Sequence, residues 1–201
     1  MRTYGGMTAE ERVAFRRRRI MRAGLELFST CGYSGTSIRA VLRKSELQDR
    51  YFAENFQSLD DLMRQILREI QLEEARKCMA AIETGETWRE KASGMLDVLA
   101  YTVAEEPDKG RVKLIESMAA GPLAAAERQQ GMRRLAALVE SLFPERDGAS
   151  HINREALALA VVGGVNQILV NWADHALPLS RETVVNQGLY LFEAVAFFEA
   201  T

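Results

Sequence analysis

Hydrogen-bonding side chains are concentrated between residues 48 and 55 of this 201-residue chain. The set comprises Gln48, Asp49, Arg50, Tyr51 and Asn55. An arginine can pair with two acceptors of guanine, a glutamine or asparagine can pair with adenine, and an aspartate can accept from the amino group of cytosine. A tyrosine can hydrogen-bond to phosphate or contact a thymine methyl group. Residues of these types predict recognition of base edges in duplex DNA.

Two short helical patterns, separated by a tight turn, must position these side chains. In the first, Ile38, Val41 and Leu42 recur at i, i+3 and i+4, which predicts one buried face, and Thr36 is suited to cap the helix. In the second, an aromatic pair at i, i+4 spacing predicts the buried face and leaves the polar residues on the outer side. That pair is Phe52 and Phe56.

Helices this short cannot bury a core alone, so a third helix must cross behind them. The upstream segment supplies a matching stripe that includes Ile20, Leu27 and Phe28. Its start is marked by Thr8 and Glu11, which have the spacing of a capping box. Three helices in this order, the last two joined by a short turn, predict a helix-turn-helix unit whose final helix enters a DNA major groove.

The same residues resemble the N-terminal DNA-binding domain of the tetracycline-repressor (TetR) family of regulators. The resemblance rests on IMRAGLELFSTCGYSG, from Ile20 to Gly35, and on LQDRYFAENFQSLDDLM, from Leu47 to Met63. It implies a helix-turn-helix domain at residues 8–58 and a helical effector-binding and dimerisation domain at residues 59–201. About nine helices are expected in all.

The family's DNA-contacting positions can be carried over to this chain residue by residue. Besides the five residues of the 48–55 stretch, these positions include Thr36 and Ser37, at a helix N-terminus, which would contact phosphate. They also include Arg39, which would contact a groove edge. Two further positions depart from the family, because Ala53 replaces a phosphate-binding tyrosine and Leu59 replaces a lysine. Each lost phosphate contact lowers affinity and salt dependence, so we expect weaker DNA binding than in a typical relative.

Composition and charge agree with a helical, two-part protein. Hydrophobic residues make up 47% of the chain, and no alternating β-branched run bounded by turns occurs, so an all-α fold is expected. Residues 1–58 contain 11 Lys and Arg against 6 Asp and Glu, a net charge of +5; the rest contains 15 against 22, a net charge of −7. A basic head on an acidic body is typical of a DNA-binding domain joined to a second domain, although chance clustering gives the same counts.

Several other classes of protein have no support in the sequence. Cys31 and Cys78 lie far apart and outside any CxxC spacing, which argues against a disulfide framework or a zinc site. Apolar runs such as residues 156–165 are interrupted by polar residues before they reach membrane-spanning length, and the N-terminus lacks an apolar signal core. No catalytic motif occurs, and His151 and His175 are well separated. We expect a cytoplasmic protein without enzyme activity, cofactor or metal.

For the body, the resemblance implies a small-molecule pocket among the middle helices, where an effector pivots the fourth helix and alters the spacing of two DNA-reading heads. Side chains on helical stripes supply the candidates, although such stripes are equally compatible with ordinary core. The apolar candidates are Trp88, Met95, Leu99, Met118 and Met132, and the polar ones are Asn166, Gln167 and Asn171.

The last two predicted helices, at about residues 153–175 and 180–199, carry apolar residues on more than one side. Such surplus apolar surface predicts an interface, and the resemblance implies a four-helix bundle formed with a second copy. A monomer in which both helices are core is the alternative. The candidate interface residues are Gly163, Gly164, Gln167, Val185, Leu189 and Phe192.

Together these features predict a homodimeric transcriptional repressor. Its partners would be a double-stranded, palindromic DNA operator and a small-molecule effector whose identity the sequence does not specify. A helical protein-interaction module of the same fold, with weakened or lost DNA binding, is the alternative.

Overall fold

The computed structural model describes residues 8–144 and 153–197. Within these ranges the chain forms nine α-helices, one 3-10 helix and no β-strand, which confirms the predicted all-α class. The predicted end of the last helix, at residues 198–199, lies outside the described residues. The α-helices are α1 (Ala9–Cys31), α2 (Ile38–Ser45), α3 (Asp49–Ala53), α4 (Leu59–Thr84), α5 (Trp88–Glu105), α6 (Pro107–Leu114), α7 (Pro122–Ser141), α8 (Arg154–Ala173) and α9 (Arg181–Ala196), and the 3-10 helix spans Glu116–Ala119.

The N-termini of α1 and α2 are closed by hydrogen-bonding side chains. At α1 the predicted capping box is confirmed, because Thr8 and Glu11 each accept the other's backbone N–H. At α2 the predicted cap is wrong: the hydroxyl of Ser37, not of Thr36, accepts the N–H of Ala40 at 3.2 Å. The hydroxyl of Thr36 instead donates to the carbonyl of Gly32 at 2.7 Å, which ties the end of α1 to the start of α2.

The turn between α2 and α3 is tight, and α3 is shorter than the sequence pattern predicts. Glu46 adopts left-handed backbone angles, φ 53° and ψ 43°, and its N–H donates to the last carbonyls of α2. Helix α3 ends after five residues, at Ala53. The side-chain amide of Asn55 then donates to the carbonyl of Tyr51 at 2.8 Å, so Asn55 closes α3 instead of extending it.

Helix α4 contributes to two hydrophobic cores. Its first half packs in the head with Phe28, Phe52 and Phe56, as the predicted aromatic pair requires. Ile38, predicted to share the buried face of α2, is the first residue of that helix and remains 38% exposed. Farther along α4, Cys78 belongs to the core of the body. The head core therefore continues past residue 58. The α4 residues that complete it are Leu62, Met63, Ile66, Leu67 and Ile70.

Helix α6 and the 3-10 helix connect the body to the corner between α1 and α2. The hydroxyl of Ser29 donates to the carboxylate of Asp108 at 2.5 Å. The backbone N–H of Tyr33 donates to the carboxylate of Glu116 at 3.0 Å, and Glu116 forms an ion pair with Arg111 at 2.9 Å. These bonds hold the corner between α1 and α2 against the body.

Asp60, in the first turn of α4, caps a helix from another part of the chain. Its carboxylate accepts the N–H groups of Leu123 at 2.9 Å and Ala124 at 3.1 Å, in the first turn of α7. The N-cap residue of α7 is Gly121, which has no side chain to do this. A Cβ atom on Gly121 would lie 2.6 Å from the carboxylate of Asp60, so glycine permits the close approach. Asp60 also places negative charge at the positive end of the α7 dipole.

A buried ion pair joins α4 to α6. The ammonium of Lys113 lies 2.6 Å and 2.8 Å from the two carboxylate oxygens of Glu74. The side chains are 11% and 4% exposed, respectively, so neither charge can be hydrated as it is in water. Loss of one partner leaves the other as an uncompensated buried charge, which is costly.

Replacing Lys113 with methionine is expected to lower the free energy of unfolding by about 3–5 kcal/mol, the usual cost of breaking a buried pair. The double variant Glu74→Leu, Lys113→Met should recover most of this loss, because no unpaired charge remains. Equilibrium unfolding in urea measures both values. A double variant as unstable as Lys113→Met would contradict this account of the pair.

Replacing Asp60 with alanine removes the cap of α7 and is expected to lower the free energy of unfolding by about 1 kcal/mol. The control is Asp60→Glu, which keeps both acceptor oxygens and the negative charge and should lose less stability than Asp60→Ala. The variant Asp60→Asn has one acceptor oxygen, and its NH2 group would face the second N–H, so it should also be destabilised. The same urea measurements apply. Wild-type stability of Asp60→Ala would contradict the assignment of Asp60 as the cap of α7.

Candidate DNA-reading surface and effector cavity

The N-terminal turns of α2 and α3 expose most of the predicted DNA-contacting residues. Ser37 and Arg39 are exposed on α2, and Gln48, Asp49 and Arg50 are exposed at the start of α3. Within the described residues, Arg39 forms no ion pair, and neither does Arg43, one turn farther along α2. Two arginines at i, i+4 without acidic partners give this surface unneutralised positive charge.

Tyr51 is held between two guanidinium groups. The Cζ atom of Arg16, from α1, lies 4.5 Å from the centre of the Tyr51 ring, and that of Arg50 lies 4.7 Å from it. Arg50 also donates to the hydroxyl oxygen of Tyr51 at 2.7 Å, which leaves the O–H of Tyr51 available as a donor. Arg16 pairs with Glu54 at 3.4 Å, so part of the negative charge near α3 is neutralised within the head.

Two of the predicted contact residues have internal roles. Thr36 is only 8% exposed and its hydroxyl is bonded to Gly32. Asn55 is half-buried beyond the end of α3, with its amide bonded to the carbonyl of Tyr51. These two side chains shape the helix-turn-helix unit, and a direct DNA contact through their bonded groups would require breaking an internal hydrogen bond.

The two departures from the TetR pattern lie next to the reading surface. Ala53, at the end of α3, is exposed, but it has no group that could bind a phosphate. Leu59, at the start of α4, is partly buried and packs against the head core. Neither position therefore supplies a hydrogen bond or a charge to DNA, which is the basis for expecting reduced affinity.

The body encloses a cavity of about 250 Å³ that is lined by residues from all six helices from α4 to α9. Trp88 and Asn171 were predicted to line it but do not. Trp88 stacks behind a lining residue, Phe192, with ring centres 5.7 Å apart, and Asn171 lies at the end of α8, where its carbonyl accepts two backbone N–H groups. Six of the eight predicted residues do line the cavity. They are Met95, Leu99, Met118, Met132, Asn166 and Gln167.

Three polar lining residues were missed by the sequence analysis. Gln71 of α4, Lys113 of α6 and Arg128 of α7 all reach the cavity wall. Periodicity assigns charged residues to exposed helix faces by default, so it gave no signal for Lys113 and Arg128. Gln71 could have been found as a polar position that continues the apolar stripe of α4 after Leu67 and Ile70.

The predicted dimer residues fall into two groups. Val185, Leu189 and Phe192 are buried inside the single chain, and a Cβ on Gly164 would lie 2.5 Å from Leu191 of α9. These four positions face the interior, and the structure corrects their assignment to an interface. The reason is that α9 packs against α5 and α8, so both of its apolar stripes are covered within the chain.

Gly163 and Gln167 do lie on the outer side of α8. A Cβ on Gly163 would meet nothing within 4 Å, and Gln167 is exposed. On α9 the outer side carries Tyr190, which is 60% exposed, and Phe197, which is 39% exposed.

Among the described helices, α8 alone is long and apolar enough to cross a membrane by length and composition. Of the 18-residue window that meets this test, 28% is buried in the structure.

Comparison with solved structures places this architecture among known folds. A FadR transcriptional regulator from Bacillus subtilis, solved in complex with stearoyl-CoA, is 11% identical, has a TM-score of 0.73 and aligns over 89% of this chain and 97% of its own. A TetR-like transcriptional regulator from a Rhodococcus species is 20% identical, with a TM-score of 0.69 over 90% and 95% of the chains. The multidrug-binding protein EbrR, solved with imidazole, is 20% identical, with a TM-score of 0.69 over 92% and 97%.

No family model and no curated protein matches the sequence itself. The structural matches nevertheless extend over both the head and the body, so the resemblance first seen in the N-terminal third holds for the fold as a whole. The chain has the all-α fold of the TetR-family transcriptional regulators.

Proposed function

We propose that this protein is a TetR-family transcriptional regulator that binds DNA as a homodimer and acts as a repressor. The observation that carries the proposal is the exposed surface of the helix-turn-helix unit. There Arg39 and Arg43 form no ion pair with any acidic residue that the structure describes, and Gln48, Asp49 and Arg50 are exposed at the start of α3. Positive charge binds the phosphate backbone, and mixed donors and acceptors discriminate base edges.

The homodimer is supported by the outer face of α8 and α9. Along α8 this face carries the small side chains Ala156, Ala160 and Gly163, which permit close approach of another helix, and along α9 it carries Tyr190 and Phe197. In the dimer, this outer face would pack against the same face of a second copy across a two-fold axis. Two reading heads related by that axis require a palindromic operator.

The effector site is the cavity in the body. FadR from Bacillus subtilis was solved with stearoyl-CoA and EbrR with imidazole, so proteins of this fold hold small molecules of different kinds. In this chain the cavity is lined by Gln71 of α4 and Lys113 of α6, and both helices also contribute residues to the head core. A ligand that fits one arrangement of α4 and α6 better than another shifts the population of head positions.

Repression by occupation of a promoter, with release on effector binding, is the mode that this arrangement supports. The protein would act in the cytoplasm, where DNA and small metabolites are both accessible. The protein would have no catalytic role, as expected for a fold shared with the FadR regulator and the Rhodococcus regulator.

If Arg39 contacts a base edge, replacing it with alanine is expected to weaken binding to a selected operator about 5- to 150-fold. If Arg39 contacts phosphate, the same replacement should lower the slope of log affinity against log salt concentration by about one unit. The operator would first be selected from random duplexes, and affinity would be measured by fluorescence anisotropy at several salt concentrations. The control is Arg133→Ala, an exposed arginine on α7. Absence of DNA binding by the folded wild-type protein at low salt would favour the interaction-module alternative.

Replacing Gly163 with arginine tests the dimer. A side chain at this position meets open space within the chain, and glycine is a poor helix former, so the protomer should fold at least as well as the wild type. Like charges facing each other across the two-fold axis should convert the dimer to a monomer, as measured by sedimentation velocity. Ala137→Arg, at an exposed position of α7, should remain dimeric. A dimeric Gly163→Arg protein would exclude this face.

A further inference from the structure

The cavity in the body is polar at one end and apolar along the rest. Helices α7 and α8 are antiparallel, because the guanidinium of Arg154, at the start of α8, donates to the carbonyls of Glu140, Phe143 and Pro144, at the end of α7. The second half of α8 therefore lies beside the first half of α7. The polar lining residues lie on the first half of α7, on the second half of α8, or on α4 and α6. They are Gln71, Lys113, Arg128, Asn166 and Gln167.

The rest of the α7 wall is apolar over several turns. After Arg128 the lining positions of this helix are Gly131, Met132, Leu135 and Val139, and Leu142, the residue that follows its end, also lines the cavity. The 14 steps from Arg128 to Leu142 correspond to about 21 Å at 1.5 Å per residue. A ligand that lies along α7 therefore meets a charged group at one end and hydrocarbon at the other.

The two cationic lining residues differ in their charge balance. Lys113 is neutralised by Glu74, whose two oxygens lie 2.6 Å and 2.8 Å from its ammonium. Arg128 donates one hydrogen bond, to the carbonyl of Ser117 at 2.9 Å, and pairs with no carboxylate among the described residues. Arg134, nearby on α7, is paired with Glu127 at 2.6 Å. Arg128 is thus a cation at the cavity wall with unused donors.

We propose that the effector is a monoanionic amphiphile, with its carboxylate on Arg128 and its apolar chain along α7 towards Leu142. This inference rests on the cavity that the proposed function assigns to an effector. A carboxylate accepts two parallel hydrogen bonds from a guanidinium, which fixes its position. The chain first meets Met132 and Leu135, where its burial is favourable.

The spacing of the lining residues along α7 guides the choice of a test ligand. An extended chain of eight carbons measures roughly 9 Å, about six residues of helix at 1.5 Å per residue, so octanoate held at Arg128 reaches the region of Leu135. Octanoate therefore carries the required charge, and its chain ends within the apolar part of the cavity.

The position of Arg128 connects the carboxylate to the head. Arg128 is bonded to the carbonyl of Ser117, and the preceding residue, Glu116, accepts the backbone N–H of Tyr33 at the corner between α1 and α2. A carboxylate that draws the guanidinium away from the carbonyl of Ser117 would remove a hydrogen bond that holds the Glu116–Ser117 segment. Effector binding and the position of α2 are therefore coupled through three consecutive contacts.

Isothermal titration calorimetry of the intact protein without DNA tests the ligand class. Octanoate, octanol and octylammonium chloride have the same chain and differ in the charge of the head group. Octanoate should bind at least tenfold more tightly than octanol, and octylammonium should bind most weakly. Binding of octanol or octylammonium as tight as that of octanoate would overturn the proposal.

Two variants locate the head group. Arg128→Gln should weaken octanoate binding about 10- to 100-fold, as expected for loss of a charged hydrogen bond, and leave octanol binding within about twofold. Arg128→Lys should retain most of the affinity for octanoate, and Arg133→Gln, at an exposed site on the same helix, should match the wild type. Wild-type octanoate affinity in Arg128→Gln would overturn the assignment of the carboxylate to Arg128.

Operator binding, measured separately by anisotropy with and without octanoate, distinguishes this inference from the proposed function. If the protein binds octanoate but no DNA, the regulator proposal fails and the ligand assignment stands. If it binds an operator but not octanoate, the ligand assignment fails and the regulator proposal stands. Both hold if octanoate releases the wild-type protein from DNA and Arg128→Gln requires at least tenfold more octanoate for release.

Discussion

The structure depends on one helix that is part of two hydrophobic cores. Helix α4 has 26 residues, about 39 Å at 1.5 Å per residue, and no break along its length. Leu62, Met63 and Leu67 are fully buried in the head core, and Cys78 is fully buried in the body core. Because a packed helix moves as a rigid element, neither core can shift α4 without disturbing the other. The packing of α4 thus couples the body to the head, in addition to the hydrogen bonds from Asp108 and Glu116 to the corner between α1 and α2.

Polar groups determine which arrangement of the body this coupling maintains. Apolar side chains fill space without strong directionality, whereas a buried charge requires its partner at a defined position. Glu74 of α4 holds Lys113 of α6, and Asp60 of α4 holds the first turn of α7. Helices α6 and α7, which line the cavity, are thus held in position relative to α4 by these bonds. A molecule that binds one of these polar groups would compete with the bonds that hold α6 or α7 to α4.

Local sequence signals predicted the features that depend on residues close together in the chain. The capping box at Thr8 and the inward pair Phe52 and Phe56 are confirmed because each involves residues within about one turn of each other. Contacts between distant segments were not predicted. Asp60 caps a helix that begins more than 60 residues later, and the spacing of charges along one helix carries no information about which helix crosses it.

The same limit explains the errors for the C-terminal helices and the cavity. Two apolar stripes on α9 indicate that two sides are covered, but not whether the cover belongs to the same chain. In the structure α5 and α8 provide it, so Val185 and Leu189 are internal and the outer face is defined by Tyr190 and Phe197 instead. Arg128 could not be distinguished from a solvated arginine, because its significance comes from its place at the cavity wall without an ion pair to any described carboxylate.

Under the proposed function, the position of α8 links dimerisation to the same equilibrium. Its Val161 and Val165 line the cavity, while Gly163 lies on the outer face and Gln167 is both exposed and part of the lining. A ligand in the cavity therefore contacts the helix that would also meet the second copy, as well as α4. Linkage then requires reciprocity: an effector that lowers the affinity for the operator by a given factor must bind the DNA-bound dimer more weakly by that same factor. Weak DNA binding, as expected from Ala53 and Leu59, would reduce the effector energy needed for release, since less binding free energy has to be overcome.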